Sequence, residues 1–547
     1  MSTIVFAATI MVSCWPFVSC SPKTEKVAIS VPTIATEVHQ KESTVEAIRL
    51  SRDNVLTIAT HAEPANYDVH RSFSSSLHRS GPGLVYSRLL RFSSDFEDQS
   101  LGSTVECDLC SKWEQIDPNT YRFTLRENVR WHNIEPLNGR LITVEDVINS
   151  YWRQKTQGWP NEGLLRNLKD IVKVDDFVLE ITTHIPDGDF VLFLASGHSK
   201  VLPLEVNSYY EDVVAAGPIG TGPWILLRSA PGGEYVFEAN PVYYEAGLPK
   251  MDILKIRVIP DQMVRFASMA VGDLDFVDLT LDQVETLNDR PGEFITMTVP
   301  HYGHGIDFVL NTHSTVLGSL DVRQAIFGAI DPWEYRRLYW QDKTFHGLGF
   351  PIKHESWYMS EEELAQYVGS LARSPDSQQP TILSGERITL SVGDYGANYS
   401  KLAKQISIDL ESIGMSIDIN MVFPTEYVGM AEGIGSYDMY IGPSVPLISP
   451  NQYFFGVLHS GGRYNSAKYS DAGLDLLIEL QAQDQDILSR SRIVKEINQR
   501  GMHSATRMML LTDSSHWGWD SRLIDVSINS WAHEYFHYAY FDWVDDN

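Results

Sequence analysis

The chain has 547 residues, of which 43% are hydrophobic and 21% charged, and its formal net charge is −28. This length predicts three or four structural units able to bury large apolar cores. The electric field of so negatively charged a protein repels nucleic-acid phosphates and anionic lipids. This argues against nucleic acid as a partner. After Cys20, no apolar run approaches the ~20 residues needed to span a bilayer.

An apolar stretch, residues 4–18, precedes Ser19-Cys20. Its length fits the core of a signal peptide better than a membrane helix. The run Phe17–Cys20 resembles a bacterial lipobox, in which the cysteine becomes the lipidated first residue. Because no Lys or Arg precedes Cys20, an ordinary cleaved signal or a buried N-terminal segment is the alternative. Residues 21–50, rich in Ser, Thr, Pro, Lys and Glu, are predicted to form a flexible tether.

The next elements are predicted from turn and periodicity signals. Residues 54–60 (NVLTIAT) indicate a first strand, and the alternation of apolar residues over Tyr121–Leu125 indicates a half-buried one. Thr143 with Asp146 three residues later fits a capping box that opens a helix. The turn Gly220–Pro223 leads into an apolar strand, and a second turn and a returning strand complete a hairpin.

Residues 254–258 alternate as another strand, and Pro260-Asp261 predicts the start of a helix that runs to Ala270. Further on, a strand at 388–392, a helix over 402–413 and an alternating strand at 415–423 form a strand–helix–strand unit. Such a unit places two parallel strands side by side with a right-handed crossover. Ligands of these sheets bind beyond the carboxyl ends of the strands, where the loop 393–398 lies here.

Cys107 and Cys110 are separated by two residues, a spacing that suggests redox chemistry or half of a zinc site in a cytosolic protein. No second pair is present to complete a four-cysteine zinc site. In an exported chain, a local disulfide between Cys107 and Cys110 is the simpler expectation.

Three ordered motifs resemble those of family 5 extracellular solute-binding proteins, the oligopeptide- and dipeptide-binding components of ABC importers. They are GTGPW at 220–224 with NPVYY at 240–244, YRFTLRENVRWHN with NGRLITVEDV at 121–147, and VRQA with AID at 322–331. The resemblance implies a two-lobed α/β periplasmic-binding-protein-like fold (type II, three-domain peptide-binding subclass). It also implies no catalysis and no cofactor, and it places His132 in a structural turn.

The resemblance further implies that solute is captured outside the membrane and delivered to permease subunits, by a monomer in the periplasm or at the cell surface, lipid-anchored through Cys20. The domains expected from it are a signal peptide over 1–20, a tether over 21–50, domain I over 51–83, 205–307 and 505–547, domain II over 84–204, and domain III over 308–504.

In peptide-binding members, a segment of the form G-W-x-x-D-Y-x-x-P supplies an aspartate that pairs with the peptide's ammonium group. The matching stretch is 442–450, where Pro443 and Pro446 replace the tryptophan and the aspartate. Glu63, in a loop that borders the cleft in the family, or Asp394 could substitute, although Glu63 is equally typical of a solvated loop acid. We therefore expect no ordinary peptide held by its free N-terminus. A less charged solute, a modified peptide or an oligosaccharide gripped by aromatic side chains is favoured. The candidate ligand-binding residues are Glu63, Tyr395, Asn398, Tyr440, Pro443 and Pro446.

The competing hypothesis is a zinc-dependent hydrolase that uses His533-Glu534-x-x-His537, a match to the H-E-x-x-H motif. The aromatic residues around this run favour a strand over a helix. In a strand, the two histidines would lie ~13 Å apart, too far for one metal ion.

Overall fold

The computed structural model describes residues 54–544 except 65–66, 73, 94–104, 206–216, 231, 291, 341–358, 361, 366–386, 446–448, 485 and 529–537. The strands are β1 Val55–Thr60, β2 Leu90–Phe92, β3 Val105–Cys107, β4 Cys110–Asp117, β5 Thr120–Leu125, β6 Leu168–Asp175, β7 Val178–Thr183, β8 Trp224–Ser229, β9 Glu234–Ala239, β10 Ile253–Val258, β11 Phe276–Leu279, β12 Phe294–Leu310, β13 Arg387–Gly393, β14 Ser416–Val422, β15 Met439–Pro443, β16 Arg507–Asp520, β17 Leu523–Ile524 and β18 Asp542–Trp543.

The helices are α1 Ser75–His78, α2 Val144–Gln154, α3 Phe190–Ala195, α4 Gln262–Ala270, α5 Leu281–Asn288, α6 Leu320–Ala329, α7 Pro332–Trp340, α8 Ala397–Ser412, α9 Pro424–Ala431, α10 Pro450–Tyr453, α11 Ala472–Gln483 and α12 Ile487–His503. Within the described ranges, none of the helices has the length and apolar character needed to cross a membrane.

One sheet runs through the molecule in the order β14-β13-β15-β12-β16-β11-β1-β10-β9-β8. Its two central strands, β12 and β16, are 17 and 14 residues long and pair with each other in antiparallel fashion. Strand β12 also pairs with β15 on one side, and β16 pairs with β11 on the other. The sheet therefore has two halves, joined by these two crossing strands.

A second sheet, β4-β5-β7-β6, is antiparallel and lies within residues 105–205. Its alternating apolar residues are buried; Phe123, Leu179 and Ile181 are fully inaccessible. They pack with α2 and α3 in one apolar cluster, which also includes residues of α10, α11 and α12. The domain boundaries expected from the family remain a prediction.

The elements with strong local signals are confirmed. Helix α4 begins after Asp261, whose carboxylate accepts the backbone N–H groups of Met263 and Val264. Thr143 and Asp146 form the reciprocal capping box at the start of α2. Strands β8 and β9 form the hairpin, and β13, α8 and β14 form the parallel strand–helix–strand unit.

The apolar residues of the predicted alternating strand 415–423 are not all buried. Ile419, Met421 and Phe423 are 38%, 42% and 76% exposed. Among the described strands, β14 pairs with β13 alone and forms the edge of the sheet. An edge strand has a neighbour on one side only, so an alternating apolar pattern there does not guarantee burial.

Candidate functional site

The strand directions indicate where the cleft expected from the family lies. Strand β11 runs from Phe276, opposite Trp519, to Leu279, opposite His516. Strand β15, in the other half, runs from Met439, opposite Leu310, to Pro443, opposite Ile306. Both strands thus run towards the middle of the β12–β16 pair, from opposite ends. Strands β1 and β10 are parallel to β11, and β13 and β14 are parallel to β15. The carboxyl ends of two sets of parallel strands therefore converge, and this is the usual place for a ligand in α/β sheets.

In the half of the sheet that contains β1, an ion pair lies at the carboxyl end of β11. The Arg265 guanidinium contacts both oxygens of Asp278 at 2.9 Å and also donates to the backbone carbonyls of Ile259 and Pro260. His61 follows β1; burial lowers the pKa of its imidazole, an effect that Asp278 opposes. Glu63 is exposed, and its carboxylate accepts the backbone N–H of Gly232 in the β8–β9 turn.

In the other half, tyrosines line the carboxyl ends of β13 and β15. Tyr395, in the loop after β13, is 40% exposed, and its ring packs edge-to-face against Tyr427 at 5.6 Å. Tyr427 contacts Tyr440 in the same way at 5.5 Å. Asn398 lies exposed in the first turn of α8, with its Nδ2 3.5 Å from the Tyr339 carbonyl. This row of rings leads from the surface into the interior.

Tyr440 lies at the inner end of the row. It is 1% exposed, and its hydroxyl is 2.6 Å from Ser466 Oγ. Pro443 ends β15, and its carbonyl accepts a hydrogen bond of 2.6 Å from the Tyr427 hydroxyl. Pro446 lies outside the described residues. Of the predicted aromatic pair, Tyr395 thus presents its ring to solvent and Tyr440 is enclosed.

A buried ion pair beside these rings was not predicted. Asp307 in β12 pairs with Arg507 in β16, and their side chains are 2% and 6% exposed. Burial raises the pKa of the Asp307 carboxyl, and the Arg507 charge counteracts this rise. Arg507 also donates to Ser466 Oγ at 2.6 Å. The available sequence signal was a single acidic residue within an apolar crossing strand.

His132 is structural. Its Nε2 lies 3.1 Å from the Gly222 carbonyl, and the Gly220 N–H donates to Nδ1 at 3.4 Å. Cys107 and Cys110 form a disulfide with their Cα atoms 5.0 Å apart. Neither is placed in the cleft by these contacts.

Two predicted features lie outside the described residues, namely Cys20 and the His533–His537 run. Across the parts of the chain that are described, His, Cys, Asp and Glu side chains form no group of three or more that could hold a metal ion.

Comparison with known proteins finds both similar sequences and similar structures. Di/tripeptide-binding protein 5 (probable) of Pseudomonas aeruginosa is 25% identical over 466 residues, which cover 77% of this chain and 83% of that protein. The structure of an ABC transporter substrate-binding protein of Listeria monocytogenes superposes with a TM-score of 0.75 at 17% identity, over 90% of this chain and 100% of that one. A periplasmic binding protein of Helicobacter pylori in complex with a peptide gives 0.68 at 18% identity, over 90% and 98%.

These structural likenesses confirm the two-lobed, type II periplasmic-binding-protein-like α/β fold. The model for bacterial extracellular solute-binding proteins, family 5 (middle region), matches residues 104–466, about two thirds of the chain. The chain therefore belongs to the family 5 bacterial extracellular solute-binding proteins.

Proposed function

We propose that this protein captures a peptide-like or other small polar solute outside the membrane, between the two halves of the ten-stranded sheet, and delivers it to the permease of an ABC importer. The observation that carries the proposal is the convergence of strand carboxyl ends on the middle of the β12–β16 pair. The two halves can adopt an open and a closed state. Solute shifts the protein towards whichever of these states binds it more tightly. The family is one of transport proteins without enzymatic activity, so the hydrolase alternative is not supported.

The solute class follows from the charges at the cleft. A buried ammonium group needs a carboxylate partner, because an unpaired charge in a closed cleft is very costly. Pro446 occupies the position of the expected aspartate. The Glu63 carboxylate binds the backbone of Gly232, and Asp307 is paired with Arg507. These contacts favour a solute without a free N-terminal ammonium, such as a modified peptide or an oligosaccharide that stacks on Tyr395.

Two measurements test this function. Native mass spectrometry of freshly purified protein should reveal a co-purified solute. Calorimetry should then compare di- to pentapeptides with their N-acetylated forms, and acetylation should not weaken binding. The variant Tyr395→Ala should weaken solute binding, whereas Tyr395→Phe, which keeps the ring, should retain it. Micromolar binding of free peptides that acetylation abolishes would contradict the proposed solute class.

We also propose that the mature protein begins at Cys20 and is held at the membrane by lipid on this cysteine, in the periplasm or at the cell surface. The apolar run that ends in Val18-Ser19-Cys20 supports this proposal. A fatty-acid analogue should label the wild type and not Cys20→Ser. Equal labelling of both proteins would refute it.

A further inference from the structure

Asp307 lies where the carboxyl ends of the strands converge. In β12 it pairs with Gly442, the residue before the last of β15. The pairing of β12 with β16 is irregular between Pro300 and Gly305 and again between Ile306 and Asp307. Asp307 is therefore at the middle of the crossing pair, where the proposed function places the solute.

The Asp307 side chain lies on the tyrosine side of the sheet. Residues two apart in a strand share a face, so Asp307 shares the face of Val309. Val309 packs in one apolar cluster with Tyr427 and Tyr440. A Cβ on Gly442, directly opposite Asp307, would overlap the Tyr427 ring. The row of tyrosine rings that leads in from the surface therefore reaches this carboxylate.

Only one oxygen of the Asp307 carboxylate is paired. Arg507 donates to Oδ2, and the Asp307 side chain is 2% exposed. Across the described part of the chain, Asp307 Oδ1 is the one carboxylate oxygen that is buried without a hydrogen-bond partner. The buried Asp146, by contrast, accepts a hydrogen bond from Arg140 on each of its two oxygens. Because an unpaired buried acceptor costs free energy, Asp307 Oδ1 calls for a donor.

The polar groups beside Asp307 are already engaged. The Tyr427 hydroxyl donates to a backbone carbonyl of β15 at 2.6 Å, and the Tyr440 hydroxyl is 2.6 Å from Ser466 Oγ. The Arg507 nitrogen Nη2 donates to the same Ser466 oxygen at 2.6 Å. None of these groups can serve Asp307 Oδ1 without giving up a bond, so a donor carried by the solute fits this position.

The charge balance limits what this donor is. Asp307 and Arg507 cancel each other's charge, so a neutral hydroxyl or amide N–H adds a hydrogen bond without adding charge. An ammonium group would instead leave one buried positive charge unpaired. In the other half of the sheet, Arg265 likewise neutralises Asp278, contacting both of its oxygens at 2.9 Å. Both halves therefore present balanced charge to the solute.

From this geometry, and resting on the proposed function, we infer that Asp307 is a specificity-determining residue: its Oδ1 accepts a hydrogen bond from a neutral hydroxyl or amide N–H of the solute, while Arg507 holds the carboxylate and cancels its charge. Solute enclosed in a binding pocket is contacted by side chains that are themselves withdrawn from water, which agrees with the low exposure of Asp307.

The first test is calorimetry on the wild type with two sets of neutral probes, N-acetylated di- to pentapeptide amides and malto-oligosaccharides. Each set is compared with a fully N- or O-methylated form, which lacks the donors. At least one parent set should bind, and its methylated form should bind at least about tenfold more weakly. Equal binding of the parent and methylated forms would overturn the inference.

The second test is the double variant Asp307→Leu/Arg507→Met. Replacing a whole buried ion pair by apolar side chains usually preserves the fold, which urea unfolding checks. The variant should bind the parent probe at least about tenfold more weakly and respond less to methylation. Because the first test uses the wild type, it stands even if this variant does not fold.

The matched control is Tyr437→Phe, which removes a buried hydroxyl of the same cluster that donates to the Ser466 carbonyl. It should lower the urea midpoint and leave probe binding unchanged. Unchanged binding by the double variant would mean that Asp307 Oδ1 meets water only, and it would overturn this inference while leaving the proposed function intact. If no probe binds the wild type and no solute co-purifies with it, the proposed function fails and the inference fails with it.

Discussion

The turn Gly220–Pro223 is held by close backbone contact. A Cβ on Gly220 would overlap the Val85 carbonyl, and one on Gly222 would lie 2.7 Å from the same oxygen. The Gly222 N–H donates to the same carbonyl at 2.8 Å, and both glycines bond to His132. Two motifs that are far apart in sequence, GTGP and WHN, are thus explained by one packing contact.

Gly220→Ala should therefore destabilise the protein by about 3 kcal/mol or more, because the backbone atoms it meets cannot move aside as a flexible side chain could. Gly163→Ala is the matched control, since nothing lies within 4 Å of the Cβ it would add. Urea unfolding measures both. Equal midpoints for the two variants would show that the contact with Val85 relaxes.

The burial of His132 also predicts that the stability of the protein depends on pH. Burial lowers the pKa of His132 to about 4, and burial likewise lowers that of His70 to about 4. The unfolded chain binds protons near pH 6.5 and the folded one only near 4, so stability is present above 6.5 and is lost as pH falls through this window. Each histidine should cost about 1.3 kcal/mol between pH 7.5 and 5.5.

The variant His132→Gln removes one of these groups. It should be less stable than the wild type at pH 7.5 and lose less stability on acidification to pH 5.5. Urea unfolding at both pH values gives the comparison. Parallel losses in wild type and variant would mean that His132 titrates normally in the folded protein.

At the scale of elements, β13 and β14 form one parallel pair with opposite environments. Leu390 in β13 is fully buried, whereas Met421 in β14 is 42% exposed. Met421→Thr should therefore change stability by less than about 0.5 kcal/mol. Leu390→Ala should cost about 2–5 kcal/mol, because it leaves a cavity in the core. A large loss for Met421→Thr would show that this edge is covered in solution.

Elements with local signals could be predicted from the sequence. The cap of α4, the capping box of α2 and the β8–β9 hairpin each depend on residues within a few positions of one another. The edge position of β14 could not be predicted, because periodicity reveals which residues share a face and not what covers that face.

The contacts of the cleft depended on tertiary structure. Asp307 and Arg507, for example, are 200 residues apart in the chain. An acidic residue in an apolar strand indicates a buried partner without identifying it. Tyr440 and Tyr395 were both predicted to contact the solute, yet they differ in burial because one lies on a strand and the other in a loop.

At the scale of the whole molecule, both halves share one hydrogen-bonded sheet. Strands β12 and β16 carry the backbone pairing of β15 on one side and of β11 on the other. The segment 105–205 has its own sheet, and its apolar cluster continues into α10, α11 and α12. The three domains expected from the family therefore need not be three independent unfolding units.

We expect the slowest native-state hydrogen exchange at 306–310 of β12 and 516–519 of β16, because these stretches are paired with a strand on both sides and become exposed only when the sheet opens. Leu390→Ala, in the half that contains β13, should then accelerate exchange in β1 and β10 of the other half as well. Leu179→Ala is the matched control: this leucine is equally buried but belongs to the four-stranded sheet, so its effect should be strongest within residues 105–205. If Leu390→Ala accelerates exchange only in β13, β14 and β15, the crossing strands join two halves that unfold separately, and the sheet is continuous in hydrogen bonding without being cooperative.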